Sequence, residues 1–377
     1  MRLWMIVVAA LLCPLALLAQ RPTASDALAL EHQQKWAEAA QAWKAVTERN
    51  PDDAAAFASL GLDLARQQKY PQAVLAYHKA LKLDSLLPEI ELDLGLAEFK
   101  QGHYSAAIPA FRSALAADPA SAQARTLLGM SYYGARNFAQ ASEYLEPAAK
   151  ADPANAELHQ LLAQSCLWAK KLDCAQEQFR LLLLQNPDSA PTHILMGEAL
   201  DGLGRTLEAI TEFETAAKIS PNEPNVHFGL GYLYWKSERY EEARKEFERE
   251  LVIDPNHAQS LAYLGDIEWK NNRPETALPL LQKAILANKD LRVAYTDLGA
   301  IALQAKNYKE AEAALNRAVA LDPSQPDAHY QLGRLYQAEG KKAEAQRELN
   351  KVRELHEKKD ESLTGKMPAE PPALNNQ

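Results

Sequence analysis

Apolar positions along most of this chain fall at the 3.6-residue spacing of helices that are apolar on one face. Leu60, Gly61 and Leu64 mark one such stripe, and Ala73, Tyr77 and Ala80 mark a second a few residues later. The pattern predicts two antiparallel helices with facing stripes, and it recurs every 34 residues without an insertion. Gly61, Gly95, Gly129, Gly197, Gly231, Gly265, Gly299 and Gly333 occupy one column, with Ala27 and Ala163 standing in for glycine in two registers. Twelve residues further on stands an unbroken column of alanine, from Ala39 and Ala73 through Ala311 and Ala345. Glycine inside a helix costs about 1 kcal/mol against alanine, so a repeated glycine needs a packing reason. The reading is that glycine meets alanine where the two helix backbones cross, and that a larger side chain would overpack the crossing.

Two more columns complete the unit. Sixteen residues after the glycine stands a bulky residue (Trp43, Tyr77, Phe111, Leu145, Phe179, Phe213, Phe247, Leu281, Leu315 or Leu349), expected to wedge between adjacent repeats. Pro51, Pro119, Pro153, Pro187, Pro221, Pro255 and Pro323 follow the glycine register by 24 residues and end the second helix. Ser85 and Lys289 replace that proline, and Leu182, Glu250 and Val352 replace a second small residue, so those repeats are expected to be looser or slightly rotated.

This set of columns resembles the tetratricopeptide repeat family over residues of about 24 to 359, nearly the whole chain. The resemblance implies an all-α fold, a right-handed superhelical solenoid of about ten tandem 34-residue helix-turn-helix repeats. Residues 20–53 would form a degenerate N-terminal capping repeat. Nine repeats would follow at 54–87, 88–121, 122–155, 156–189, 190–223, 224–257, 258–291, 292–325 and 326–359, and a disordered tail would occupy 360–377.

The resemblance also implies a concave groove lined by the first helix of each pair, three residues before and one, four and five residues after the glycine register. Those places hold Phe99, Met130, Tyr133, Trp168, Phe228, Tyr232, Trp235, Trp269 and Tyr330, with Lys236 and Lys270 among their charged neighbours. Tyrosine and tryptophan contribute most per residue in buried contacts, and Tyr232, Trp235 and Trp269 read as a binding cluster, against the plainer reading that such rings pack on the neighbouring repeat. The Lys, Asn and Arg cage with which some family members clamp a C-terminal carboxylate is not rebuilt here. Ala58, Leu62, Leu92, Leu96 and Thr126 stand in the corresponding places.

The N-terminus reads as an address. Arg2 precedes an uncharged apolar run from Leu3 to Ala19, and a small residue closes it, as in a secretory signal peptide at 1–19. Leu17 departs from the small residue preferred near a cleavage site, which leaves an uncleaved anchor open. Leu12 argues against lipidation of Cys13. Each reading places the rest of the chain in a periplasmic or extracellular space, with membrane contact only through an uncleaved N-terminus.

Composition narrows the chemistry. Of 377 residues, 41 are Lys or Arg and 50 are Asp or Glu, and a net charge of -9 argues against nucleic acid as a partner. No phosphate-binding loop, nucleophile elbow or zinc-protease motif occurs. Neither a catalytic residue nor a cofactor or metal is expected. His159, His193, His227 and His329 recur four residues before the glycine register, but neighbouring repeats hold equivalent atoms about 8–10 Å apart, too far for one metal. They read as structural. Cys166 and Cys174 flank the turn of one helix pair, where an antiparallel hairpin and an oxidising compartment permit a disulfide, against the plainer reading of two small buried side chains.

The sequence therefore points to a non-enzymatic scaffold that binds a partner peptide or helix in its groove. The second reading is a glycan-binding or exopolysaccharide-export accessory, since a curved row of aromatic rings also suits sugars.

Overall fold

The computed structural model describes residues 22–87 and 89–364. Both the apolar run of 1–19 and the end of the chain from 365 lie outside the described residues. The chain divides into two compact units, one ending at Lys171 and one beginning at Leu172. Every regular element among the described residues is a helix.

In the first unit these are α1 (Ala24–His32), α2 (Trp36–Arg49), α3 (Ala54–Arg66), α4 (Tyr70–Leu83), α5 (Ile90–Lys100), α6 (Tyr104–Ala117), α7 (Ala122–Gly134), α8 (Phe138–Ala151) and α9 (Ala156–Trp168). The second holds α10 (Leu172–Gln185), α11 (Ala190–Gly202), α12 (Thr206–Ile219), α13 (Val226–Lys236), α14 (Tyr240–Ile253), α15 (Ala258–Lys270), α16 (Pro274–Ala287), α17 (Arg292–Gln304), α18 (Tyr308–Leu321), α19 (Pro326–Ala338) and α20 (Lys342–Thr364). The last helix thus continues past residue 360, where the sequence reading starts the tail.

Within each unit every helix packs against its successor. The odd-numbered helices from α3 to α9, and from α11 to α19, also touch one another two apart, so they form a continuous wall within each unit. That wall is the inner side, because the helices that approach most closely lie inside a curve.

The column chemistry explains the pairing, with one correction. The alanines of the +12 column are buried as expected, Ala73, Ala107, Ala209, Ala277 and Ala311 among them. The glycine, however, chiefly makes room for the bulky residue sixteen positions later in its own repeat. A Cβ at Gly61 would lie 2.5 Å from the Tyr77 ring, one at Gly231 2.8 Å from Phe247, and one at Gly299 2.5 Å from Leu315. The bulky column is therefore seated on its own glycine, and the close approach to alanine runs through the alanine carbonyl, 3.3 Å away at Ala243 and Ala311.

The turn inside each pair carries a feature absent from the sequence reading. Gln34, Gln68, Gly102, Arg136, Lys170, Gly204, Glu238, Asn272, Lys306 and Gly340, each seven residues after the glycine register, all have φ between 56° and 78°. This is the left-handed region that suits glycine, yet seven of the ten are other residues, at a cost of about 1–2 kcal/mol each. The tight return brings the next helix back against the first.

Glu250, expected to loosen its repeat, does the opposite. Its carboxylate accepts from the backbone N–H groups of Asn225 and Phe228, both at 3.1 Å, and so caps the start of α13. Asn225 itself has no capping side-chain bond, so a carboxylate from α14 satisfies the donors at this positive helix end.

Candidate functional site

Three of the four histidines in the column, His193, His227 and His329, prove to be part of the scaffold. His193 Nδ1 meets Glu212 at 2.5 Å and its Nε2 meets the Pro187 carbonyl at 2.9 Å. His227 repeats the arrangement with Glu246 at 2.7 Å and Pro221 at 2.9 Å, and His329 with Glu348 at 2.6 Å and Pro323 at 3.2 Å. Each ring straps its own helix pair to the turn before it. Among the described residues no three His, Cys, Asp or Glu side chains gather in a metal-binding geometry.

The inner wall of the first unit gathers aromatic rings. Tyr133 and Trp168 lie 5.8 Å apart between ring centres, and Phe138, from the first turn of α8, reaches Trp168 at 4.7 Å and Tyr133 at 6.0 Å. Phe99 meets Tyr104 edge-on at 5.3 Å. Gly134 makes this possible, since a Cβ there would lie 2.5 Å from the Tyr104 ring. With Met130, these rings line a cavity of about 590 Å³ whose polar members include Arg136 and Glu157. Trp168 stays 45% exposed, so the cavity keeps a large apolar lip open to solvent. The Tyr133 hydroxyl donates to Gln164 Oε1 at 2.6 Å, and burial pushes the phenol above its ordinary pKa.

The inner wall of the second unit is built differently. Tyr232 stacks on Trp235 at 6.0 Å, Phe228 lies 6.4 Å from Tyr232, and Tyr263 sits against all three. Tyr263 in turn stacks on the buried Phe247, at 5.7 Å and 15°. Polar contacts fix the exposed edge. The Trp235 indole N–H donates to Asp266 at 2.5 Å, and the Lys270 ammonium bonds the same carboxylate at 2.5 Å while standing 4.7 Å over the Trp235 ring. Lys236 reaches Asp201 at 2.7 Å.

Two acids lie near these walls without matching partners. Asp297, buried beside Asp266, has one carboxylate oxygen with no hydrogen bond. Burial first, and then the charge of Asp266, raise its pKa well above the carboxylate range. In the first unit both oxygens of the fully buried Asp63 lack partners, and burial, helped by the charge of Glu31, pushes its pKa up to about 7.

The expected groove residues thus separate into groups. Phe99, Met130, Tyr133 and Trp168 come together in the first unit, and Phe228, Tyr232 and Trp235 in the second. Trp269 does not join the Tyr232 and Trp235 cluster. It packs, partly buried, against the apolar group that includes Leu261, Ala262, Leu281, Ala294 and Ile301. Tyr330 stands half-exposed on α19 and joins no ring cluster among the described residues. Cys166 is fully buried in α9, Cys174 is half-buried in the first turn of α10, and neither is a free thiol.

Sequence reasoning missed Tyr104, Phe138 and Tyr263. The first two carry a legible signal, a column nine residues after the glycine register that also holds Trp36, Tyr70, Tyr240 and Tyr308.

An array of paired helices, each packed on its successor with a side-chain-rich inner wall, defines the class of helical repeat proteins. Two tetratricopeptide repeat family models match the chain, one over residues 26–88, 194–258 and 263–326, the other over 98–164, 132–199 and 302–362. The chain belongs to the tetratricopeptide repeat family, and at the level of class it is a protein–protein interaction scaffold. No curated protein matches in sequence. Among solved structures, a chain of the APC/C hetero-tetramer Cut9–Hcn1 is similar in fold. It is 14% identical over 88% of this chain and 80% of that one, with a TM-score of 0.53. One MamA structure is 28% identical over 44% of this chain and 95% of that one, at a TM-score of 0.40. YrrB, described as a repeat protein with an unusual peptide-binding site, is 24% identical over 48% and 93%, at 0.37.

Proposed function

We propose that this chain is a non-enzymatic scaffold whose inner walls hold an extended or helical segment of a partner protein, and that it works outside the cytoplasm. The observation that carries the reading is the open aromatic cavity of the first unit, where Trp168 and Tyr133 present apolar surface beside Arg136 and Glu157. Exposed tryptophan and tyrosine set among charged groups are the anchors expected of a peptide groove. The apolar run from Leu3 to Ala19 motivates export. A Cys166–Cys174 disulfide is part of the same proposal, favoured by the oxidising setting and by the absence of a free thiol at either position.

In-cell cross-linking and capture of a C-terminally tagged chain tests the scaffold reading. A defined protein partner should accompany the wild type and be lost from a Tyr133→Ala, Trp168→Ala variant with unchanged helical circular dichroism. Tryptophan emission that responds to oligosaccharides but not to peptides would overturn it in favour of glycan binding. Localisation is tested separately, by fractionation and by the intact mass of the protein before and after alkylation. Retention in the cytoplasm, or two alkylated cysteines in the mature chain, would refute that part.

A further inference from the structure

One register keeps charge out of the middle of the first unit's cavity. Five residues after the glycine column, α5, α13 and α15 carry Lys100, Lys236 and Lys270, whereas α7 and α9 carry Gly134 and Trp168. Gly134 leaves room for the Tyr104 ring from the start of α6, and Trp168 adds an indole that is half open to solvent. With Leu161, itself only half-buried, these groups make an accessible apolar floor between α7 and α9.

Charge returns at the two ends. Glu157 stands in the first turn of α9, and Arg136 in the turn that follows α7. The two helices run parallel, each antiparallel to α8 between them, so Arg136 lies level with the far end of α9. A helix of 13 residues is about 20 Å long, and that length separates the two backbones along the groove. Both side chains line the cavity and are exposed, and among the described residues neither has a hydrogen-bonded or ionic partner.

An apolar floor with a free cation at one end and a free anion at the other selects its occupant by the order of its residues. A large apolar side chain covers the rings, an acid on one side of it meets Arg136, and a base on the other meets Glu157. The reverse order sets like charges together at both ends, and an uncharged segment forgoes both attractions. We propose that this groove recognises a partner segment in which an acidic and a basic residue flank a large apolar one, the acid lying at the Arg136 end. In extended chain, at about 3.3 Å per residue, the two charges lie within about six residues of each other. This rests on the inner wall of the first unit holding a partner segment, and adds the chemistry and placement of that segment.

Selection from a random peptide library displayed on phage, with the full chain as target, tests the two levels separately. Selected peptides should share an aromatic or long aliphatic position with an enriched acid on one side and an enriched base on the other. Arg136→Glu should turn the acidic position basic, and Glu157→Lys should turn the basic position acidic, while the apolar position stays. Trp168→Ala should abolish selection of these peptides, each variant keeping the helical circular dichroism of the wild type. In calorimetric titration, Arg136→Met should weaken binding of a selected peptide about two- to five-fold. Replacing the peptide's acid by its amide should give the same loss, with no further loss when the two changes are combined. Peptides that share only the apolar position, or charges that survive both reversals, overturn the charge order and leave the groove reading standing. Selection unchanged by Trp168→Ala, or no peptide selected by the wild type, overturns both.

Discussion

The aromatic walls of the two units use the same repeat and reach opposite results. In the first unit, rings from the ends of α7 and α9 meet Phe138 at the start of α8, and the assembly stays open with Trp168 45% exposed. In the second, Tyr232 and Trp235 are backed by Tyr263 and the buried Phe247, and Asp266 and Lys270 hold the edge of Trp235. The buried acids do not follow this division: carboxylate oxygens of both Asp63 in the first unit and Asp297 in the second lack a hydrogen-bond partner, whereas Asp266 is bonded by an indole and an ammonium. A place in the repeat decides which wall a side chain stands on. The residues contributed by the next repeat decide whether that side chain is free to bind.

The sharpest break in this contrast is removal of the floor under the second wall. Phe247→Ala should cost about 3–5 kcal/mol in urea unfolding followed by tryptophan emission, because it empties the seat on which Tyr263 stacks. A cost below 1 kcal/mol would mean that the second wall is no firmer than the first.

Next comes the acid of the first unit. A carboxyl whose folded pKa lies near 7 rather than 3.8 binds its proton more tightly in the folded state. The stability this confers is fully present below about pH 4 and is lost as pH rises through about 7. Asp63→Asn should therefore stabilise the protein by about 2 kcal/mol at pH 8 and by little at pH 4. Thermal unfolding at the two pH values checks this, and equal shifts at both would contradict it.

Releasing the pinned tryptophan is a smaller change. Asp266→Ala removes the acceptor of Trp235 and one partner of Lys270. It should cost about 1–2 kcal/mol and shift the Trp235 emission to the red, which selective replacement of the other tryptophans makes readable. The corresponding change in the open wall, Trp168→Ala, should alter stability by less than about 1 kcal/mol, since the ring is only half covered. The smallest effect expected is a gain. Arg136→Gly relieves a left-handed residue at the rim of the open cavity, and should stabilise the first unit by about 0.5–1 kcal/mol in the same assay.

The helix pairs were legible in the sequence because glycine, alanine, bulky and proline columns each answer a steric demand that few residues meet. His193, His227 and His329 were legible as structural because a position four residues before the glycine register falls against its own helix pair. The left-handed turn column was not, because Gln, Arg, Lys, Glu and Asn share no chemistry with glycine there and only the register unites them. Tyr104 and Phe138 were hidden because Leu172, Thr206, Pro274 and Lys342 interrupt their column. Trp235 and Trp269 occupy the same register, four residues after glycine, and sequence alone treats them alike. Their surroundings separate them: Asp266 of the next repeat accepts from the first indole, whereas the second packs against the apolar cluster that includes Leu261, Leu281 and Ile301.

The hairpin turns also set a timetable. Each pair closes through a seven-residue step after its glycine, and its packing partners lie within the same or adjacent pairs. A chain synthesised at about 5–20 residues per second takes roughly 2–7 seconds to deliver one 34-residue repeat. Helices form in about a microsecond and short loops close faster still. Every pair therefore has ample time to assemble on the one before it while the next is still being made. The order of folding is written into the order of synthesis, and a pause or truncation would leave a shorter array rather than a misfolded whole.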